Sequence, residues 1–427
     1  MVKNGAKVLR WGSWLALVIG SWGAAITSAQ DLRTPFELET ARVLPKGVRN
    51  PRFKNIVTGI ESRFSGGGIG EPLGQKLNKT VTWADAIAAQ PTEAQKAEAQ
   101  GSIQAAGVDG TVGPGRTTGD VAVAANIKVP VLAWGLTDRW TMAAAFPIYD
   151  VNVRATSGFV AADSGRRWLD EIGSTSVDKQ NEAAAKMNDA VNQKLARLGY
   201  KPVQDQSQTA LGDVRLVSKL VLAESGAEDG YLLTLKNDVT LPTGPVPDPA
   251  NLLATPIGDG QWDIGAALVY DRVFLRDFRW NAFGGYTVQT SGDIARRLPV
   301  SGDDSLSADQ EVVSQKLGDI VSMGSSLSYQ VPRLGITVGA GYQYQRLGAT
   351  RVEDGKFESQ RYRWLEALFP ERDLHTGMLM AGFSTVDFYK QKRFALPFQA
   401  NIAYSAPIAG RQATTNAMWL AELVMFF

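Results

Sequence analysis

His375 is the first residue to consider for catalysis, because the chain contains one His and no Cys. The lack of Cys excludes thiol nucleophiles, disulfide bonds and thiolate metal sites. His375 lies beside Asp373 and Thr376, and a Ser–His hydrolase would need a serine within hydrogen-bond reach of the ring. The nearest serine on the same predicted strand, Ser384, is too distant. We therefore predict a rim histidine and no enzyme, although a serine on a neighbouring strand is left open.

Acidic pairs are the other candidates for chemistry. Asp303-Asp304 could contact a divalent cation, since carboxylate oxygens are its usual ligands. Solvated loop charge is the simpler interpretation there, as it is for Asp170-Glu171, so we predict no metal and no cofactor. The 44 Lys+Arg nearly balance the 43 Asp+Glu, which leaves no basic excess for binding nucleic acid.

The N-terminus has the pattern of an export signal. Lys3, Lys7 and Arg10 precede an apolar stretch over residues 11–26, and a small-residue site follows, ending at Ala29. We predict a cleavable signal peptide over residues 1–29. The alternative is a membrane anchor, for which the apolar stretch is short. Removing the three cations changes the formal charge from +1 to −2, so the exported protein is not basic.

From residue 48 onward the dominant pattern is an alternation of apolar and polar residues with period two. It is clearest from Val121 to Val131, where every second residue is apolar. This alternation is typical of a β-strand that lies between two different media. It predicts strands over residues 48–64, 117–133, 138–155, 210–223, 230–243, 259–273, 277–291, 314–331, 334–350, 372–389, 394–407 and 412–427.

The connections between these strands predict the architecture. Short and long links alternate along most of the chain, as do the periplasmic turns and external loops of outer-membrane barrels. We predict an all-β protein in which residues 30–427 form one antiparallel up-and-down transmembrane barrel of about twelve strands, with fourteen as the alternative. An even number places both termini in the periplasm. A soluble β-sandwich is the competing fold.

Two further features favour the membrane barrel in a Gram-negative outer membrane, in contact with lipid and lipopolysaccharide. The last residues alternate up to a C-terminal Phe427, which resembles the signal that the barrel-assembly machinery recognises. Aromatic residues near strand ends suit interfacial girdles. These aromatics are Trp134, Trp140, Tyr149, Trp262, Tyr270 and Trp280.

Two long segments, residues 65–116 and 156–209, are not strand-like and are predicted to be partly helical external loops. In the first, Thr82 begins a capping-box pattern, and Pro91 suits the first turn of a second helix. In the second, an apolar stripe predicts an amphipathic helix. Such helices could pack on the barrel rim, or they could form a lid that captures an apolar ligand. The stripe consists of Met187, Val191, Leu195 and Leu198.

Several short motifs resemble a known family of barrels. Residues 131–140 (VLAWGLTDRW), the segment Leu211-Gly212-Asp213 and the segment Leu241-Pro242-Thr243-Gly244 are similar to segments of the phenol meta-cleavage pathway outer-membrane proteins. That family is allied to the FadL/TodX hydrophobic-compound transporters, so the resemblance implies a channel for such compounds. FadL-type barrels also have an N-terminal plug, for which residues 30–47 offer no evident counterpart.

The polar residues of the alternating strands are expected to point into the lumen. Both signs of charge occur on neighbouring strands, so they could neutralise one another in a filled barrel or line a path for solutes. We predict a passive channel for small hydrophobic or amphipathic molecules; the alternative is a plugged barrel that serves as a surface structural or receptor protein. The candidate lumen residues are Asn126, Lys128, Asp213, Arg215, Lys219, Lys236, Asp238, Asp263, Asp271, Arg279, Asn281, Gln289, Gln343, Gln345, Gln399, Asn401 and Glu422.

Overall fold

The computed structural model describes residues 39–427, apart from residues 79, 89–91, 106, 108–112, 114, 163–191, 193–194, 227–229, 303–305 and 332. The predicted signal peptide therefore lies outside the described residues. So do Met187, Val191 and both acidic pairs, Asp170-Glu171 and Asp303-Asp304.

The described chain is built mainly from β-strands. The strands are β1 Arg49–Ile60, β2 Ser62–Phe64, β3 Gly70–Pro72, β4 Thr80–Val81, β5 Gly115–Thr137, β6 Trp140–Ala145, β7 Ile148–Ala161, β8 Gln206–Leu211, β9 Arg215–Glu224, β10 Tyr231–Thr240, β11 Asp263–Phe274, β12 Phe278–Gln289, β13 Ser291–Arg297, β14 Gln310–Lys316, β15 Ile320–Val331, β16 Ile336–Leu347, β17 Arg351–Val352, β18 Arg372–Ser384, β19 Phe398–Arg411 and β20 Met418–Met425. The helices are α1 Trp83–Ala88, α2 Glu93–Ala105, α3 Ser359–Ala367 and α4 Val386–Lys390, with a 3₁₀ turn at Leu73–Leu77. None of the described helices has the length and apolar character that crossing a membrane requires.

The long strands form one closed antiparallel ring. β1 pairs with β20 on one side and with β5 on the other, which leaves no free edge between the ends of the barrel sheet. β6 continues into β7 through a bend at Phe146-Pro147, and β8 continues into β9 through residues 212–214. β6 pairs with β9 and β7 with β8, so each bent pair acts as one wall strand. The predicted ring of twelve strands is therefore confirmed.

The outer face of the ring is apolar and carries aromatic side chains near both ends. At the end with short turns, which we call the turn end, Tyr270 packs against Tyr231 and Trp280 at centroid distances of 6.1 and 5.8 Å. At the opposite end, the loop end, Trp419 packs against Tyr404 at 4.8 Å. Two such rows with apolar residues between them are what a bilayer requires of a barrel. Tyr149, which we assigned to a girdle, is instead buried inside the barrel.

Several predicted boundaries were wrong where a strand ends early. The first strand stops at Ile60, because the chain leaves the ring there and forms the β2–β3 hairpin. The tenth predicted strand, residues 372–389, stops at Ser384, and residues 386–390 turn instead into the short helix α4. The final loop-end connection is residues 412–417, whereas the predicted strands placed it at residues 408–411.

A small ordered unit at the loop end was not predicted. Strands β13, β14 and β17 form a separate three-stranded sheet, and α3 packs on it through Tyr362 and Leu365. Both side chains are buried against Ile294, Val313 and other apolar residues of the sheet. We call this sheet and α3 the cap sheet. It occupies part of the segments that we had expected to be simple external loops.

We expect the cap sheet to loosen at acidic pH through Glu311. The Tyr362 hydroxyl donates to Glu311 Oε2 at 2.5 Å, and the Lys356 amide donates to Oε1 at 3.0 Å. The Tyr362 hydrogen bond holds the pKa of Glu311 below its ordinary value of 4.5. A carboxyl group whose pKa is lower in the folded than in the unfolded protein stabilises the fold at a pH above its unfolded-state pKa. This stabilisation is lost as the pH falls through its folded-state pKa.

Hydrogen exchange at the Lys356 amide measures this effect. Its protection, corrected for the intrinsic rate, should fall as the pH is lowered past the folded pKa of Glu311. In Glu311→Gln the protection should be low at neutral pH and should no longer depend on pH in this range. Equal pH dependence in the two proteins would show that another group controls the loop.

Candidate functional site

The stretch Glu39–Gly47, which we call the N-terminal segment, lies inside the barrel near the turn end. The Ala41 carbonyl accepts a hydrogen bond from Thr234 Oγ1 at 2.6 Å, and the Leu44 amide donates to Thr141 Oγ1 at 2.7 Å. Ala41 is fully buried. Residues 39–47, in which the sequence showed no evident counterpart of a plug, therefore occupy part of the lumen at the turn end.

Glu39 anchors the far end of the N-terminal segment. Its Oε1 accepts from Lys219 Nζ at 2.7 Å, and its Oε2 accepts from Lys236 Nζ. Lys219 also donates to the Thr40 carbonyl at 2.6 Å, and Thr40 Oγ1 donates to Asp271 at 2.9 Å. The three ionic side chains are only 16–18% exposed, so screening by solvent is limited. The segment is held by charge-assisted bonds to three neighbouring strands.

Gly135 of β5 allows the other end of the N-terminal segment to lie against the wall. A Cβ at this position would be 2.0 Å from the Pro45 carbonyl oxygen, and this backbone atom cannot move without displacing the segment. Gly47 and Val48 also exchange backbone hydrogen bonds with Gly135, at 2.8 and 2.9 Å. Glycine is required here because two backbones approach closely.

We expect Gly135→Val to displace the N-terminal segment and to raise the ion current through the barrel in a planar bilayer. Gly284→Ala is the matched control, since its Cβ would meet nothing within 4 Å. The control should conduct like the native protein. An unchanged current in Gly135→Val, with the barrel folded, would contradict the proposed contact.

A second polar group lies on the opposite wall. Glu422 of β20 accepts from Asn401 at 2.7 Å and lies 3.8 Å from both Arg52 and Lys54 of β1. Asn401 accepts in turn from Gln399 at 2.9 Å. Because cation and anion face each other across neighbouring strands, this part of the wall is polar without a strong net charge.

One side of the interior toward the loop end is apolar. Ile56 of β1 and Ile127 of β5 are cross-strand partners, and both are buried. Leu420 and Met418 of β20 belong to the same cluster. Leu195, Tyr200, Leu253, Ile257 and Leu306 reach the cluster from the connections at the loop end. These residues, which we call the apolar layer, cover the side of the interior formed by β1, β5, β7 and β20. The side formed by β9 to β12 is polar up to the loop end, where Arg215 pairs with Asp238 and Gln289 with Asp263.

Arg297 ties three loop-end connections together over the apolar layer. Its guanidinium donates to the carbonyls of Leu198 and Gly199, both at 2.6 Å, and to that of Ser307 at 2.8 Å. Its Nε donates to the Pro249 carbonyl at 3.0 Å, and the guanidinium carbon lies 4.0 Å from the centroid of the Tyr200 ring. Of the predicted stripe, Leu195 is fully buried and Leu198 packs against the same cluster.

Most of the predicted lumen residues lie on the inner face. The inner-face pairs are Arg215 with Asp238 at 2.8 Å, Asn281 with Asp271 at 2.6 Å and Gln289 with Asp263 at 2.9 Å. Arg279 lies 4.0 Å from Asp271. Register with neighbouring inner-face residues also places Gln343 and Gln345 inside.

The parity assignment was wrong for Asn126 and Lys128. The register of β5 with β1 puts Ile127 opposite the buried Ile56, so the even-numbered residues of β5 face outward. The reason is that β5 contributes to the apolar layer, which makes its inner face the apolar one. Alternation shows that the two faces differ, but it does not show which of them is inside.

Asp213 does not line the lumen but links the connection that precedes β9 to the one that follows β10. Its Oδ1 accepts from the Gly244 amide at 2.9 Å. Thr243 Oγ1 accepts from the Val214 amide and donates to the Gly212 carbonyl, each at 2.9 Å. Two of the three segments that carried the family resemblance therefore bind each other at the loop end of β9 and β10.

His375 lies on the outer face of β18. The Tyr342 hydroxyl is 2.5 Å from its Nδ1, and the Tyr344 ring centroid lies 4.9 Å from the imidazole centroid. Within the described part of the chain, its ring contacts are thus with outward-facing aromatic residues. Among the described residues, no group of three or more His, Asp or Glu side chains could hold a metal ion.

The closed ring with its apolar outer belt defines the chain as an outer-membrane β-barrel. Neither a scan against protein-family models nor a search of curated proteins found a match. An outer membrane channel from Pseudomonas putida F1 aligns over 92% of this chain and 100% of its own, with a TM-score of 0.53 and 11% identity. At that identity the likeness establishes the fold.

Two further structures show weaker likenesses. The Pseudomonas putida toluene transporter TodX aligns over 90% of this chain and 90% of its own, with a TM-score of 0.32 and 10% identity. A Pseudomonas aeruginosa FadL homologue covers 96% of this chain and 97% of its own, also with a TM-score of 0.32 and 10% identity. The likeness to the Pseudomonas putida F1 structure confirms the barrel fold that the sequence motifs implied.

Proposed function

We propose that the protein is a passive outer-membrane conduit for small amphipathic molecules. The observation that carries this proposal is that the barrel interior has an apolar side and a polar side. Apolar side chains such as Ile56 and Ile127 line one side, and ionic pairs such as Glu39 with Lys219 line the other. A molecule with an apolar body and a polar group finds a partner for each part along one path.

The N-terminal segment is the element that we propose to regulate this path. It lies at the turn end, which would face the periplasm in an outer-membrane barrel. It is attached by the ionic contacts of Glu39 and by single hydrogen bonds from Ala41, Leu44 and Gly47 to the wall, and it has no apolar core of its own. Release therefore requires the loss of a few charge-assisted bonds and no unfolding of the wall.

The lipid bilayer covers the apolar outer face of the barrel, and lipopolysaccharide would meet the polar outer residues at the loop end. The C-terminal Phe427 is two-thirds exposed, and its backbone pairs with Arg49 where the ring closes. We propose that this strand is the contact for the barrel-assembly machinery. The small apolar solute predicted from the sequence is refined here to an amphipathic one.

Uptake by porin-deficient Gram-negative cells that express the chain tests the conduit. Radiolabelled benzamide should enter these cells faster than vector-only cells, whereas glucose should not, because glucose has no apolar body for the apolar layer. Equal uptake of benzamide with and without the chain would reject the conduit and favour the plugged structural barrel.

A further inference from the structure

Lys219 and Lys236 form an unusual pair in the barrel wall. They are directly opposed partners on the inner faces of β9 and β10. Like charges at opposed positions destabilise a sheet, so this wall requires an anion between the two ammonium groups. In this structure the anion is the Glu39 carboxylate, with one oxygen accepting from each lysine.

The wall and the carboxylate belong to different parts of the chain. Both lysines are fixed by strand pairing, whereas Glu39 precedes the first strand by ten residues. The two opposed lysines therefore form a carboxylate-binding site that belongs to the barrel wall and not to the N-terminal segment. The low exposure of the two lysine side chains, 16% and 18%, strengthens their attraction for any carboxylate that reaches them.

An apolar stretch begins next to this site and leads toward the loop end. Along β9, the next inner-face residue is Val217, which pairs with Ala143 of β6. Further along, Ala145 of β6 pairs with Val131 of β5 on one side and on the other with Arg215, which is held by Asp238. The small side chains of Ala143 and Ala145 thus lead from the lysines toward the apolar layer around Ile127, with Arg215 at one edge. A bound carboxylate would place its apolar body along this stretch.

We propose that Lys219 and Lys236 bind the carboxylate of a small amphipathic monocarboxylic acid, and that Glu39 is an internal substitute for this ligand. The proposal rests on the proposed conduit function and specifies the polar group of its solute. Because Glu39 is attached to the same chain, its effective concentration at the site is on the order of millimolar or higher. An incoming acid must compete with it, and binding would release the N-terminal segment.

Calorimetric titration of the full-length protein in detergent tests the site with benzoate and with its neutral analogue benzamide. In Glu39→Gln the competing charge is gone, so benzoate should bind at least about tenfold more tightly than to the native protein. Benzamide affinity should be the same in both. Adding Lys236→Gln or Lys219→Gln to Glu39→Gln should abolish the gain.

Lys54→Gln, added to Glu39→Gln, is the matched control, since Lys54 lies on the opposite wall beside Glu422. It should leave benzoate binding unchanged. Equal affinities for benzoate and benzamide in Glu39→Gln would overturn the proposal, and so would a Lys54→Gln effect as large as that of Lys236→Gln. If the lysine variants do not fold, the comparison of native protein with Glu39→Gln decides alone.

The two proposals fail in different ways. If cells take up benzamide but Glu39→Gln shows no benzoate preference, the conduit stands and the carboxylate site is rejected. If the benzoate pattern holds but no solute enters cells, the site stands and the conduit is rejected.

Discussion

Replacing Glu39 with Lys should raise the ion current through the barrel several-fold in a planar bilayer. The substitution removes the only carboxylate in contact with Lys219 and Lys236 among the described contacts, and it places a third cation beside them. At contact distances near a protein surface, each unit-charge interaction is on the order of 4 kcal/mol, before screening by water. The reversal therefore outweighs the few neutral hydrogen bonds that hold the rest of the N-terminal segment.

Two controls separate release of the segment from a general loss of structure. Glu39→Gln keeps the shape and the hydrogen-bonding capacity but not the charge, so its current should lie between those of the native protein and Glu39→Lys. Glu93 lies at the start of α2 with its side chain 89% exposed, and Glu93→Lys should conduct like the native protein. A Glu39→Lys current equal to the native one would mean that the ionic anchor does not hold the segment in place.

Arg297→Ala should produce the largest loss of order at the loop end. It leaves the carbonyls of Leu198, Gly199 and Ser307 without their charged donor and removes the cation from the face of Tyr200. Hydrogen bonds to charged donors contribute about 1.5–3 kcal/mol each, and losses that share one side chain are not additive. We expect the connections to separate at a cost of about 3–5 kcal/mol, while the strand ring remains closed.

Trypsin cleavage after Arg197 measures this separation. Arg197 is exposed, and the Leu198 and Gly199 carbonyls that follow it are both held by Arg297 at 2.6 Å. Cleavage should be much faster in Arg297→Ala. Arg297→Lys should give an intermediate rate, because an ammonium cannot reach four carbonyls as a planar guanidinium does. The variant Arg363→Ala, which removes an exposed arginine of the cap sheet, should be cleaved at this site at the native rate.

The fold was predictable because the lipid-facing side of a wall strand must differ in polarity from its lumen-facing side. That requirement produced the alternation in β11, β12 and β20, and it gave the correct number of wall strands. The same rule failed for Asn126 and Lys128, since β5 has an apolar inner face where loop residues pack on it. Register with β1 resolved this, and register is a property of pairs of strands that no single strand reveals.

The candidate site was only half predictable. Lys219, Lys236 and Asp271 were recognised as inward-facing from parity, but Glu39 was not, because the N-terminal segment has no periodicity and contacts residues far away in sequence. A possible signal was Gly135, a glycine within an otherwise regular strand, which can indicate close approach of another backbone. The cap sheet was missed for a related reason: β13, β14 and β17 are short and pair mostly with one another inside long connections.

The most direct test of a closed path is the current of a variant that lacks residues 39–46, compared with that of the full chain in the same bilayer. We expect a low current for the native protein and a several-fold larger one for the deletion variant. The enlarged current should favour anions, because Lys219 and Lys236 lose their partner. Equal currents in two folded proteins would contradict the claim that the N-terminal segment closes a path through this barrel.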